Sequence, residues 1–106
     1  MTIEQVYDKA CEIIAYAGDS KSYSMEAIQN AEDGVMEEVE ACFKNADESL
    51  TTAHNLHTEL LVEESNGLGS VPLNMMLIHA SDHLTAAELT RDFAEKIVNI
   101  YKTFKK

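Results

Sequence analysis

The chain contains four histidines, and two of them fall in the run His79-Ala80-Ser81-Asp82-His83. On a helix, positions i, i+3 and i+4 share a face, so this spacing crowds His79, Asp82 and His83 together. The surrounding stretch from Ser65 to Ala87 carries one formal charge, Asp82, although 25% of the whole chain is charged. Asp82 also falls in an apolar seam, where an ionised carboxylate is costly unless paired, hydrogen-bonded or metal-bound. It therefore calls for a partner: His83, His57 from a neighbouring helix, or a shared cation. His57 is itself a seam residue, and His54 lies one turn from it.

Three kinds of chemistry fit these residue types. A buried polar network would bond Asp82 to a histidine and do nothing further. A metal site could take up to three ligands from His79, Asp82 and His83, with His54 or His57 completing the shell. A nucleophilic histidine could carry a group covalently, because neutral imidazole is a nucleophile near physiological pH. Spacing alone leaves all three open.

The elements that must position these residues are helices. Gly18, Gly34, Gly67, Gly69 and Pro72 are the only glycines and proline, and they cut the chain into segments of roughly 2–31, 35–65 and 72–105. Each segment is rich in Ala, Glu, Leu, Met and Lys, the good helix formers. In the second, Val39, Phe43, Ala46, Leu50, Ala53, His57 and Leu60 recur at alternating spacings of four and three. In the third, His79, Asp82, Ala86, Leu89, Phe93, Ile97, Ile100 and Phe104 nearly repeat that rule; in the first, Ile3, Val6, Ala10, Ile13 and Ala17 do so. Such a repeat is the seam of a left-handed helix bundle. Strand signals are absent. The expectation is a single all-α domain over 1–106, an antiparallel up-down-up three-helix bundle. Its first helix should be interrupted near Gly18, with Asp19 or Ser20 capping a fresh start. Asp33 is placed to cap the second helix, and Pro72 to sit in the first turn of the third. So slender a bundle, with apolar residues on more than one face of its third helix, points to self-association.

Charge narrows the partners. The 106 residues carry 19 acids against 8 bases, a formal charge of −11. A strongly acidic chain repels phosphate backbones and anionic lipid, so nucleic acid and membrane surfaces are poor partners. No apolar run approaches the roughly 18 residues a membrane span needs. Met1-Thr2-Ile3-Glu4-Gln5 lacks a signal-peptide pattern, which implies a cytoplasmic protein. Cys11 and Cys42 show no paired spacing and read as two buried, reduced thiols.

Three stretches carry a resemblance. Leu77-Ile78-His79-Ala80-Ser81-Asp82-His83-Leu84 resembles the signature of the lactose/cellobiose-type enzyme IIA component of the bacterial phosphoenolpyruvate-dependent sugar phosphotransferase system. Ile13-Ile14-Ala15-Tyr16-Ala17-Gly18-Asp19 is similar to that family's first-helix motif. Ala53-His54 followed by Thr58-Glu59-Leu60 is similar to its second. The resemblance spans nearly the whole chain in order. It implies a cytoplasmic phosphocarrier that receives a phosphoryl group from the histidine-containing phosphocarrier protein. The group then passes to the IIB component during uptake of a β-linked disaccharide such as lactose or cellobiose. It also implies that His79 is phosphorylated on the ring nitrogen far from the backbone and that His83 supports it. Asp82 would meet its symmetry mates around Mg²⁺ or a similar divalent cation on the axis of a homotrimer. Ser81, Thr85 and His57 depart from the family pattern, which commonly has glutamine, methionine and glutamine at those positions. These departures bear on which sugar system is served and how the cation is held.

Overall fold

The computed structural model describes residues 1–104 of the 106. It contains three long helices, α1 (Ile3–Glu32), α2 (Val39–Asn66) and α3 (Met75–Phe104), with a single 3₁₀ turn, Met36–Glu38, before α2. There are no strands among the described residues. The helices form a rod of 55 × 19 × 19 Å. Cross-links between them fix the antiparallel up-down-up order. Lys9 near the start of α1 pairs with Glu59 near the end of α2, and Asn30 near the end of α1 reaches Cys42 near the start of α2. Asp47 on α2 pairs with Arg91 on α3, whereas His57, further along α2, meets Ser81, nearer the start of α3.

α1 begins on a capping box. The Thr2 hydroxyl accepts from the Gln5 N–H, and the Gln5 side chain accepts from the Thr2 N–H. It then runs straight through Gly18, so the expected interruption does not occur. A mid-helix glycine costs only about 1 kcal/mol, and burial continues across it from Ala17 to Ser20, Ser24 and Ala27. Neither proposed restart cap acts as one: Asp19 is exposed, and Ser20 is buried inside the helix. The helix ends at Asp33, its C-cap, followed by Gly34 at φ 80°. Asp33 thus closes α1 rather than opening α2, and the Gln29 amide donates to it. Pro72 also lies outside its expected helical turn. Asn74 starts α3 instead, its Oδ1 accepting the Leu77 N–H at 3.0 Å, a side-chain cap that proline cannot supply.

The core is built on alanine. Ala10, Ile13 and Ala17 of α1 pack with Ala53 and Leu60 of α2 and Ala80, Leu84 and Ala87 of α3. Toward the other end, Ala27 and Ala31 pack with Val39, Cys42, Phe43, Ala94 and Val98. Small side chains let the helices approach closely, and α1 is packed along both of its neighbours. α2 and α3 pack on each other far less. Polar rungs join them: His57–Ser81 at 3.3 Å, His54–Glu88 at 2.7 Å, Asp47–Arg91 at 2.6 Å and Glu40–Lys102 at 3.7 Å. Arg91 also stacks on the Phe43 ring at 4.2 Å.

The seam expected on α2 faces the core, but the one expected on α3 does not. The face of α3 that packs inward is Ala80, Leu84, Ala87, Ala94 and Val98. The louder stripe of Asp82, Leu89, Phe93, Ile100 and Phe104 points outward and is exposed. Cys11 is exposed too, contrary to expectation, because it sits one position past the buried Ala10; Cys42 is buried, and both thiols are free. Burial is the main reason the Cys42 thiol is pushed above its ordinary pKa.

Candidate functional site

The site lies where α2 ends and α3 begins. The connection between them is anchored by one carboxylate. Glu64 accepts the Gly69 N–H on Oε2 at 2.6 Å and the Val71 N–H on Oε1 at 3.1 Å. These two backbone donors hold its carboxyl below the usual glutamate range. Gly69 takes φ 84°, a left-handed conformation that glycine adopts without a Cβ penalty. The Ser70 hydroxyl donates to the Glu63 carbonyl at 2.8 Å, and the Met1 amino group donates to the Ser70 carbonyl at 3.1 Å. So pinned, the loop presents apolar side chains to solvent: Leu68 is 99% exposed, and Leu73 and Met75 are nearly as open. Met76, next in sequence, instead packs against the core.

His79 stands in the second turn of α3 and is exposed; His83 follows one turn later and is half-buried. Their Nε2 atoms are 3.1 Å apart and the rings meet edge to face, at 89° with centroids 4.5 Å apart. Of the residues that spacing placed together, this pair is the one the structure joins. Asp82 is exposed and lines the cleft between α2 and α3, without a hydrogen bond or ion pair among the described residues. His57 bonds Ser81 rather than Asp82, and His54 pairs with Glu88. The three-ligand metal arrangement does not form: no cluster of three His, Cys, Asp or Glu side chains suited to a metal occurs among the described residues.

A cleft of about 680 Å³ opens between α2, the loop and α3. Its walls include His57, Leu61, Leu73, Ile78, Ser81 and Asp82, but neither His79 nor His83. A second groove of about 730 Å³ lies further along α2 and α3 around Arg91; its lining mixes four acids with three bases, and it is remote from the histidine pair in sequence and along the rod. Sequence reasoning missed the Glu64 anchor and the Arg91–Asp47–Phe43 rung. The only signal for the first was a glutamate just ahead of Ser65-Asn66-Gly67-Leu68-Gly69-Ser70.

An exposed imidazole early in a long helix, paired with a second imidazole and preceded by a loop with exposed apolar side chains, defines a protein suited to chemistry at a histidine presented to another macromolecule. The family described as the PTS system lactose/cellobiose-specific IIA subunit matches residues 8–102. The lactose-specific EIIA component of the PTS in Staphylococcus epidermidis is 32% identical over 96% of this chain and 97% of its own length. Among solved structures, the PTS cellobiose-specific enzyme IIA from Bacillus anthracis superposes with a TM-score of 0.89 at 32% identity, covering 99% of this chain and 93% of that one. The IIA(Chitobiose) of Escherichia coli, solved in complex with HPr, shares the fold at 24% identity and a TM-score of 0.79, over 100% of this chain and 99% of that one. The chain belongs to the lactose/cellobiose-specific IIA family of the phosphotransferase system, and so is a phosphotransfer component of that system. No helix among the described residues is long and apolar enough to cross a membrane.

Proposed function

We propose that this chain is a phosphoryl carrier in which His79 accepts the group from the histidine-containing phosphocarrier protein and hands it to a IIB component. The payload serves import of a β-linked disaccharide such as lactose or cellobiose. The observation that carries this reading is the exposed His79 ring, held against His83 in a segment whose one formal charge is Asp82. The relatives favour the same sugars by name: one is lactose-specific and one cellobiose-specific. The E. coli structure with HPr favours a carrier protein as donor. The reading puts the protein in the cytoplasm, where both partners would meet it.

The chemistry needs little covalent work from the protein; positioning and charge stabilisation do most of it. With the His79 proton on Nδ1, its Nε2 lone pair faces the Nε2–H of His83 across 3.1 Å. In-line attack by that lone pair forms an N–P bond at His79 as the donor's N–P bond breaks, and the bonding pair returns to the donor ring. The His83 N–H, released from His79, then lies within reach of a phosphoryl oxygen. Handing the group to IIB runs the same exchange in reverse, with the acceptor nucleophile in the donor's place. Leu68, Leu73 and Met75, exposed on the segment leading into α3, would offer a docking partner apolar surface that helps keep water from the phosphoryl group.

The carrier works as a homotrimer. Asp82, Ala86, Leu89, Phe93, Ile97, Ile100 and Phe104 recur at spacings of four and three along α3, a coiled-coil repeat whose Asp82, Leu89, Phe93, Ile100 and Phe104 are exposed. Three copies of α3 around an axis would bury it. The same packing brings three Asp82 carboxylates together, where mutual repulsion in low dielectric demands a counter-charge. Asp82 suits the role: it is a hard oxygen donor with no competing partner among the described residues. Mg²⁺ or a similar cation would be held by those carboxylates and would supply charge balance.

The test is incubation with phosphoenolpyruvate and the two general phosphotransferase proteins. Intact mass should rise by one acid-labile phosphoryl group per chain and stay unchanged in His79→Ala. Labelling that persists in the variant would remove His79 from the role.

A further inference from the structure

We infer that the His79–His83 pair is also a two-imidazole chelate for a borderline divalent transition metal such as zinc, and that the bound ion excludes the phosphoryl group. The distances carry it. Two ligands at about 2.0–2.1 Å from a tetrahedral zinc stand about 3.3 Å apart, and the two Nε2 atoms are already 3.1 Å apart. The nitrogens need only part slightly, and His83 must carry its proton on Nδ1 rather than Nε2, for both lone pairs to turn to a common point. The backbone beneath them need not move, because Ala80, Leu84 and Ala87 hold that stretch of α3 in the core. Neither imidazole bonds a carboxylate among the described residues: Glu88 pairs with His54, and Asp82, which lines the α2–α3 cleft, makes no hydrogen bond or ion pair. His79 is exposed, so a hydrated ion has an open approach and water fills the remaining positions.

Ligand chemistry sets the ion. Imidazole suits zinc, copper and nickel, whereas Mg²⁺ takes oxygen ligands and keeps its water. The pair should therefore bind zinc while ignoring magnesium, unlike a carboxylate site at Asp82. With only two protein ligands the ion is reversible, not structural. Binding uses the Nε2 lone pair of His79, the same pair that attacks phosphorus, so metal and phosphoryl group compete for one atom. That competition rests on the carrier reading; the chelate does not.

The experiment begins with calorimetric titration of chelator-stripped protein with ZnCl₂ in a non-coordinating buffer, with MgCl₂ as control. One zinc per chain should bind, with affinity falling at least tenfold in His79→Ala and in His83→Ala and unchanged in His54→Ala. Circular dichroism confirms that each variant is folded. Zinc should then slow phosphoryl uptake by the wild type, whereas His83→Ala, whatever its own zinc-free rate, should lose that sensitivity in the same mixture. Equal zinc affinity in the wild type and a His79→Ala/His83→Ala double variant overturns the site. So does loss of binding on His54→Ala, which would put the ion at the His54–Glu88 rung between α2 and α3. Zinc binding with no phosphoryl uptake under any condition would leave the chelate standing and sink the carrier reading. Uptake equally zinc-sensitive in wild type and His83→Ala would sink the competition.

Discussion

Phe93 separates the packing of one chain from the proposed assembly of three. Its ring lies on the outward stripe of α3 and is 62% exposed. An aromatic side chain offers roughly 150–250 Å² for burial, so about 120 Å² of Phe93 is open to a partner. At about 25 cal/mol per Å² that is about 3 kcal/mol for each chain that buries it. Phe93→Ser should remove most of this, about 9 kcal/mol over three chains, and raise the trimer dissociation constant by roughly a millionfold. The isolated chain should hardly notice: serine and phenylalanine have similar helix propensity, and surface changes of this kind stay within about 0.5 kcal/mol. Sedimentation velocity across micromolar concentrations, with far-ultraviolet circular dichroism at the same concentrations, reads both quantities. The wild type should sediment as three copies of the 11.8 kDa chain, and the variant as one copy with its helicity kept. A monomeric wild type, or a Phe93→Ser trimer that survives dilution, would refute the three-fold seam.

Other consequences follow from the same geometry. Asp82→Leu should keep or strengthen the trimer, since an apolar residue at the axis avoids the desolvation of three carboxylates; dissociation on light scattering would make the cation the main adhesive. Arg91→Met keeps much of the packing volume but loses the paired contacts to Asp47 and the stacking on Phe43. It should destabilise the fold by about 1–2 kcal/mol in urea titrations. Glu64→Gln replaces one acceptor oxygen with an amide that cannot accept, so either Gly69 or Val71 loses its partner. Amide exchange at those two positions should quicken while exchange in α1 stays unchanged. Because the folded-state pKa of Glu64 is depressed, its anchoring is present above the ordinary glutamate range and is lost only as pH falls through the depressed value. Loop exchange in the wild type should therefore stay slow at mildly acidic pH and rise below it.

Much of this was legible in the sequence where a signal had one reading. The apolar repeat of α2 faces its own core, so periodicity named the right side. In α3 two stripes coexist. Ala80, Ala87 and Ala94 make the inward face with small side chains, whereas Leu89, Phe93 and Ile100 make the outward one with large ones. Hydrophobicity followed size, and so picked the outward stripe. Gly18 misled because its local cost was weighed without the packing of Ala17 and Ser20 on either side. The histidine pair was readable because i,i+4 spacing fixes proximity on a helix. The Glu64 anchor was not readable, because nothing in a glutamate's identity tells which backbone amides a loop will turn toward it.

As a carrier, His79 must both receive and release a phosphoryl group. A single-turnover chase tests it: protein labelled with ³²P at His79, freed of donor, is mixed with a cognate IIB component and quenched at intervals. Label should leave this chain and appear on IIB at matching rates, with little inorganic phosphate. Label that stays put, or is lost to water while IIB remains unlabelled, would contradict it.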